Sequence, residues 1–237
     1  MHSLQTKRSL QNGGRQTVED LAPGTYFVSG IDTDAGKTAA TGWIARELLA
    51  LGRKAATIKP VQTGQTCARQ GPEKGAALST DICMHRRIMG VQLPEDAAGF
   101  TSPQIFSFPA SPHLASSMDG RPIDFDSIEH SLAVLESRYE YVLVEGAGGL
   151  MVPLTRELLT IDWAAQQKWP VIFVASAKLG SINHALLSLE ALSRRGMPLA
   201  AFVFNHYDAW HTPSVIAEDT RAFLREYVAN AVPEALW

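Results

Sequence analysis

Short apolar runs recur along the chain, and most are followed by a segment suited to a helix. The runs that we expect to be buried strands are residues 26–28, 55–58, 141–144, 170–175 and 200–204. The expected helices are residues 37–51 and 81–89, a stretch from Asp126, a stretch from about residue 181 to Gly196, and one after Pro213. This alternation favours an α/β fold, a mainly parallel β-sheet with helices on both faces. We expect a single domain over residues 25–237, preceded by a polar tail over residues 1–24.

Two segments lack a clear period. Residues 65–80 contain Gly and Ser without regular apolar spacing, which predicts a mobile loop. Residues 90–125 hold much of the proline of the chain and are expected to be irregular connection. After them, Asp126 can cap a helix, and Glu129 three residues later completes a capping-box pattern.

Composition narrows the classes of partner. A net charge of −3 and a pI near 6.2 give no electrostatic footprint for nucleic acid or an anionic membrane. No apolar run reaches the length of a membrane span, and the first residues lack the apolar core of a secretory signal, although a short targeting extension stays open. Cys67 and Cys83 form no metal-binding pattern. We therefore expect reduced thiols in a cytoplasmic protein.

The segment from Gly30 to Thr38 reads Gly-Ile-Asp-Thr-Asp-Ala-Gly-Lys-Thr between a predicted strand and a predicted helix. In a phosphate-binding loop, backbone N–H groups and the helix N-terminus hold phosphate oxygens. Lys37 can reach the β- and γ-phosphates, and the Thr38 hydroxyl can bind Mg²⁺. Five residues separate Gly30 from Gly36, one more than in the usual pattern. The alternative is a strand-to-helix turn that carries an incidental lysine.

Two further polar groups follow predicted strands. Glu145 ends the strand at 141–144 and precedes Gly-Ala-Gly-Gly, the place of a metal-linked acid beside a phosphate loop. Lys59 follows the strand at 55–58 and opens a loop that ends at Gly64. Ligands bind at the carboxyl edge of such sheets. A solvated glutamate and a surface lysine before a proline are the alternatives.

Taken together, these motifs resemble the dethiobiotin synthase family. They are the loop at 30–38, Lys-Pro-Val at 59–61, Val-Glu-Gly-Ala-Gly-Gly at 144–149 and Lys-Leu-Gly-Ser-Ile-Asn-His at 178–184. The similarity covers about residues 25–206 in the order that the family has. The last residues, 233–237, fit the family pattern poorly, so the nucleotide preference is left open.

The resemblance implies a P-loop NTPase-type fold and an ATP-dependent ligase of biotin biosynthesis. Its substrates would be 7,8-diaminononanoate, CO₂ and ATP, with Mg²⁺ as cofactor. One amine would form a carbamate, ATP would convert it to a carbamic-phosphoric anhydride, and the second amine would close the ring. The resemblance also implies a cytoplasmic homodimer with the site at the interface.

The resemblance assigns residue roles by position. Those implied at the nucleotide are Asp34, Ala35, Gly36, Lys37, Thr38 and Glu145, with Asn205 at the adenine. The implied metal ligands are Thr38, Asp81 and Glu145, with Asp34 near the metal or nucleotide. The implied substrate contacts are Thr33, Lys59, Thr63 and Gly148, with backbone N–H groups of Ser181, Ile182 and Asn183 on the substrate carboxylate across the dimer. The residues that resemble the family's catalytic ones are Lys37, Lys59 and Thr33. Asp81 on its own could equally be a solvated turn residue, and His113 and His184 receive no catalytic role.

Three rival classes fit the sequence less well. A partitioning or cell-division ATPase carries a second lysine early in the loop, where this chain has Gly30, Ile31 and Asp32. A cobyrinate amidase-like ligase needs a further amidotransferase domain. A non-catalytic nucleotide-binding scaffold has no need of Lys37, Thr38 and Glu145 together.

Overall fold

The computed structural model describes residues 17–64, 66–67, 77–206 and 212–237. Its strands are β1 (Gly24–Gly30), β2 (Ala55–Ile58), β3 (Val61–Thr63), β4 (Thr66–Cys67), β5 (Leu78–Ser79), β6 (Gln104–Phe106), β7 (Tyr141–Glu145), β8 (Val171–Ser176) and β9 (Leu199–Asn205). Its helices are α1 (Lys37–Ala50), α2 (Thr80–Met89), α3 (Pro94–Ala98), α4 (Pro112–Met118), α5 (Phe125–Glu136), α6 (Thr160–Gln166), α7 (Ser181–Arg194) and α8 (Ser214–Ala231).

Within the described residues, the main sheet has the order β2-β7-β1-β8-β9, and each neighbouring pair is parallel. Small pairs, β3 with β6 and β4 with β5, lie outside it. The predicted α/β architecture is therefore confirmed. Because β1 lies between β7 and β8, the loop after β1 meets the ends of both neighbours at one edge.

Alternate residues of the strands face two separate cores, as the pleat of a β-sheet requires. Phe27 of β1 packs in one core with apolar residues of α5 and α7, whereas Val28 packs in the other with α1. Helices therefore cover both faces, which explains why the strands read as continuous apolar runs. No helix among the described residues is long and apolar enough to cross a membrane.

The predicted helices 37–51 and 81–89 correspond to α1 and α2, and α1 ends where Gly52 adopts a φ of +75°. The cap of α5 was misplaced in the sequence-based expectation. Asp124, not Asp126, accepts a hydrogen bond from the Ser127 N–H, so the helix begins at Phe125.

The expectation for residues 90–125 was wrong, since α3, β6 and α4 all lie there. Pro94 and Pro112 each occupy the first position of a helix, where the missing N–H costs nothing. In the other unpatterned segment, residues 65 and 68–76 lie outside the described residues, while Thr66 and Cys67 pair with Ser79 and Leu78 as antiparallel strands.

The expectation of two separate thiols was also wrong. Cys67 and Cys83 form a disulfide that joins β4 to α2, with their Cα atoms 6.6 Å apart. Of the predicted polar tail, residues 1–16 lie outside the described residues. The part that follows packs on the domain, since Leu21 is buried and its carbonyl accepts a hydrogen bond from the Tyr141 hydroxyl.

Candidate active site

The loop between β1 and α1 is built around two close contacts of glycine. A Cβ on Gly30 would lie 2.9 Å from the Val174 carbonyl oxygen, so a side chain there would push β1 from β8. Gly36 caps α1 with a φ of +97°, and a Cβ on it would lie 2.2 Å from Asn205 Nδ2. Both positions therefore favour glycine for reasons of local geometry.

Lys37 folds back over this loop. Its Nζ donates a hydrogen bond to the Asp32 carbonyl oxygen at 2.7 Å, and the side chain is almost wholly buried. Burial, with a smaller contribution from the nearby Lys59 ammonium, lowers the pKa of Lys37 to about 8. A cation held in this way can contact an anion bound at the N-terminus of α1.

Glu145 lies at the end of β7, beside the start of α1. The Thr38 hydroxyl donates to Glu145 Oε1 at 2.9 Å, and the carboxylate is 1% exposed. Burial would raise the pKa of Glu145, but Lys59 and the hydrogen bonds from His85 and Thr38 outweigh it and hold that pKa well below its ordinary value. The solvated strand-end alternative is therefore excluded.

Lys59 connects this acid to α2. Its Nζ lies 3.1 Å from Glu145 Oε1, 2.6 Å from Asp81 Oδ2 and 3.0 Å from the Gly146 carbonyl oxygen. Burial alone would lower the pKa of Lys59, but the two carboxylates outweigh it and the pKa lies above its ordinary value. The surface-lysine alternative is excluded by its 5% exposure, and Asp81 lies in the first turn of α2, not in a solvated turn.

Two adjoining cavities meet at these residues. The first, about 630 Å³, is lined by the loop from Ile31 to Ala39 together with Glu145, Ser176, Lys178 and Asn205. The second, about 500 Å³, is lined by Val61–Thr63, Pro109–Pro112, Ala147 and Val152. Both cavities share four lining residues, which are Thr33, Lys59, Asp81 and Gly148. Lys59 can therefore act on a group that bridges the two cavities.

Most of the sequence-predicted residues are brought together here. Asp34, Ala35, Gly36 and Asn205 line the first cavity, where the Asn205 amide also donates to the Ala35 carbonyl oxygen at 3.2 Å. Thr63 lines the second cavity.

Ser181, Ile182 and Asn183 form the first turn of α7 and line neither cavity of this chain. The Ser181 N–H donates to the Lys178 carbonyl oxygen, whereas the N–H groups of Ile182 and Asn183 belong to the first turn of α7, where a helix has no acceptor of its own for them.

Sequence reasoning missed one residue at the heart of the site. His85 is fully buried on α2 and its Nε2 lies 2.7 Å from Glu145 Oε2. The sequence does place His85 four residues after Asp81 on a predicted helix, and residues i and i+4 share a helix face. That spacing could have indicated that His85 lies on the side of α2 that faces the site. The partner, 60 positions further along the chain, could not be read from that spacing.

The donors around Glu145 fit a magnesium ion that is also held by phosphate. Thr38, Asp81 and Glu145 offer a hydroxyl and carboxylate oxygens, the ligand type that Mg²⁺ takes. The described residues contain no cluster of three or more His, Cys, Asp or Glu side chains able to hold a metal. Mg²⁺ at this place would therefore depend on phosphate oxygens and water for its remaining ligands.

The fold and the loop geometry define a P-loop nucleotide-binding protein. The family model described as an AAA domain matches residues 24–232, and curated ATP-dependent dethiobiotin synthetases match most of the chain. The chain belongs to the ATP-dependent dethiobiotin synthetase family.

The relatives support that membership over nearly the whole length. The synthetase BioD 2 of Pasteurella multocida is 43% identical over 213 residues, which are 90% of this chain and 94% of the relative. BioD of Chlorobaculum tepidum is 44% identical over 211 residues, 87% of this chain and 83% of the relative.

Among solved structures, the septum site-determining protein MinD of Pyrococcus horikoshii, complexed with Mg-ADP, has a TM-score of 0.44 at 16% identity, covering 83% of this chain and 77% of that one.

Proposed function

We propose that the protein catalyses the ATP-dependent carboxylation and ring closure of 7,8-diaminononanoate to dethiobiotin. The observation that carries this proposal is the pair of cavities that meet at Lys59. One has the loop and lysine of a nucleotide site, and the other is a second chamber for a small molecule. A ligase that couples phosphoryl transfer to bond formation needs this arrangement, because both reactants must lie in line.

The proposed reaction has three steps. One amine of the substrate adds to CO₂ and loses a proton, which gives a carbamate. A carbamate oxygen attacks the γ-phosphorus of ATP, so that ADP leaves and a carbamic-phosphoric anhydride forms. The second amine then attacks the carbamoyl carbon and loses a proton, the bond to the phosphate oxygen breaks, phosphate leaves, and the ureido ring closes.

Charge neutralisation is the main task of the side chains in this scheme. Lys37 would contact the β- and γ-phosphates, and Lys59 would contact the carbamate and the transferred phosphoryl group. Thr33 and Gly148, which line both cavities, would contact the amine end of the substrate, and Thr63 would lie beside Lys59. Asp34, Ala35 and Gly36 would border the phosphates, with Asn205 at the adenine.

Thr38, Asp81 and Glu145 would hold Mg²⁺ together with the phosphates. When bound, the ion would neutralise negative charge on the β- and γ-phosphate oxygens. Asp34 is in the first cavity, within the loop that borders this site. The expected place of this reaction is the cytoplasm, a proposal that rests on the family alone, because the Cys67–Cys83 disulfide removes the argument from reduced thiols.

A mass-spectrometric assay with ATP, Mg²⁺, bicarbonate and 7,8-diaminononanoate tests the function. ADP and dethiobiotin should appear together, and only when the diamine is present. A Lys37→Ala protein purified in the same way controls for a contaminating synthetase. ATP hydrolysis at the same rate with and without the diamine would contradict the proposal and favour a regulatory ATPase.

The lowered pKa of Lys37 predicts a pH dependence of nucleotide binding. Because the pKa of Lys37 in the free protein is about 8, the ammonium charge is lost as the pH rises through that value. If the protonated form alone binds ADP, affinity should fall by about fivefold between pH 8 and pH 9. Calorimetric titration of ADP measures this, and Lys37→Arg should lack the decline because arginine stays charged. A flat profile for the unaltered protein would contradict the assignment.

We infer further that two copies of the chain form a homodimer, with α7 at its interface. Leu179 and Leu187 flank the first turn of α7 and are 74% and 58% exposed. Exposed apolar side chains beside the N-terminus of a helix suit a protein interface more than a free surface. The N–H groups of Ile182 and Asn183 would then bind the substrate carboxylate of the partner copy.

Leu187→Glu tests this interface. Sedimentation equilibrium should give twice the chain mass for the unaltered protein and a lower mass for the variant, because a buried charge opposes association. The variant should also bind the diamine at least about tenfold more weakly, with ADP affinity unchanged. Val91→Glu is the matched control, since Val91 is exposed beyond the far end of α2. A monomeric unaltered protein would contradict the inference.

A further inference from the structure

Each oxygen of the Glu145 carboxylate has a different set of partners. Oε1 accepts hydrogen bonds from Thr38 and Lys59 and therefore faces the loop and the shared region of the cavities. Oε2 lies 2.7 Å from Nε2 of His85, which is fully buried. The carboxylate is thus oriented from behind by a side chain that lines neither cavity.

The other nitrogen of the ring has a defined partner as well. His85 Nδ1 lies 3.0 Å from the Thr57 hydroxyl, to which Arg86 Nη1 donates at 2.8 Å. Arginine can only donate, so this bond uses one lone pair of the Thr57 hydroxyl oxygen. The ionised carboxylate of Glu145 can only accept, so His85 Nε2 is the donor in the bond to Glu145.

The far end of this chain of contacts is fixed by an ion pair. Arg86 Nε and Nη2 each lie 2.8 Å from an oxygen of Asp96, and both side chains are buried. Asp96 also accepts hydrogen bonds from Thr101 Oγ1 and the Leu93 N–H. A two-pronged pair of this kind restrains the guanidinium in orientation as well as distance. The contacts run without a break from α3 to Glu145.

We propose that His85 is a positioning residue that holds Glu145 Oε2, so that Oε1 stays directed at Thr38 and at a magnesium ion bound with the nucleotide. His85 would orient the carboxylate of Glu145, because its ring binds Oε2 and so prevents Oε1 and Oε2 from binding the metal together. The proposal rests on the magnesium site of the proposed function. Partners of this kind, which hold a metal ligand without touching the metal, commonly change metal affinity by about 10- to 100-fold.

Two variants separate positioning from packing. His85→Leu fills the space without a donor, whereas the Nε2 amide of His85→Gln can donate to Glu145. We expect His85→Leu to weaken Mn²⁺ binding in the presence of ADP by about 10- to 100-fold, measured from the free Mn²⁺ signal in electron paramagnetic resonance. ADP affinity in EDTA should stay unchanged, and His85→Gln should recover most of the metal affinity. His130→Leu, on the exposed side of α5, is the matched control.

Three results would overturn the proposal. The first is a Mn²⁺ affinity of His85→Leu equal to that of the unaltered protein, and the second is a loss of Mn²⁺ affinity in His85→Gln as large as in His85→Leu. The third is a loss of ADP affinity in His85→Leu that is as large in EDTA as in the presence of metal. If the leucine variant does not fold, His85→Asn replaces it, because the shorter amide cannot reach Oε2, and the same loss is expected. The readout needs neither diamine nor turnover, so failure here is distinguishable from failure of the dethiobiotin assay.

Discussion

Replacing Lys37 with alanine is expected to lower the turnover number for dethiobiotin formation by at least about 100-fold. The side chain is buried over the loop with its Nζ on the Asp32 carbonyl oxygen, so the ammonium is already positioned before a phosphate arrives. Charge that develops on the transferred phosphoryl group would lose a fixed cation. Water that enters in place of the side chain must reorient during the reaction, which a preorganised cation does not.

Initial rates of ADP and dethiobiotin formation measure this loss. Lys54→Ala is the matched control, because Lys54 is exposed just before β2 and remote from the loop in sequence. Thermal unfolding of both variants shows whether the fold is retained. A Lys37→Ala protein that turns over near the wild-type rate would remove Lys37 from the phosphate site.

The parts of the site that depend on one strand and the loop after it could be predicted from the sequence. Glu145 is the last residue of β7, and Lys37 begins the helix after the loop that follows β1. Parallel strands bring such ends and the loops after them to one edge. That β1 and β7 are neighbours is what makes Thr38 and Glu145 touch. The pattern predicted the parallel sheet, while the strand order follows from packing of the whole chain.

What the sequence did not reveal depends on contacts between distant positions. The bonds of His85 to Thr57 and Glu145 span 28 and 60 positions, and neither follows from helical spacing. Local patterns also gave a wrong prediction where one residue type suits two structures, since proline both interrupts helices and begins them. Pro94 and Pro112 read as breakers but begin helices. Likewise the spacing of Cys67 and Cys83 gives no sign that β4 and α2 bring their sulfur atoms together.

Lys59 is the residue whose loss should separate ATP binding from ring closure. Its Nζ bridges Asp81 and Glu145 where the two cavities meet, so it can contact a carbamate and a phosphoryl group at once. The nucleotide would keep Lys37, the loop N–H groups and Asn205. Lys59→Ala should therefore lower dethiobiotin formation by about 100- to 1000-fold, as for loss of one preorganised charge donor. ADP affinity should change by less than about threefold, which is under 1 kcal/mol.

The same change removes the cation between two carboxylates, so stability must be measured beside activity. Breaking a buried pair costs about 3–5 kcal/mol when the remaining charge has no partner. Here Glu145 keeps its hydrogen bonds to His85 and Thr38, and Asp81 is a quarter exposed, so we expect a smaller loss in the free energy of unfolding measured in urea.

Lys59→Arg keeps the charge on a wider group and should fold like the unaltered protein, yet remain impaired in ring closure. Unchanged dethiobiotin formation in a folded Lys59→Ala protein would remove Lys59 from the reaction. A parallel loss of ADP affinity would instead assign it to nucleotide binding.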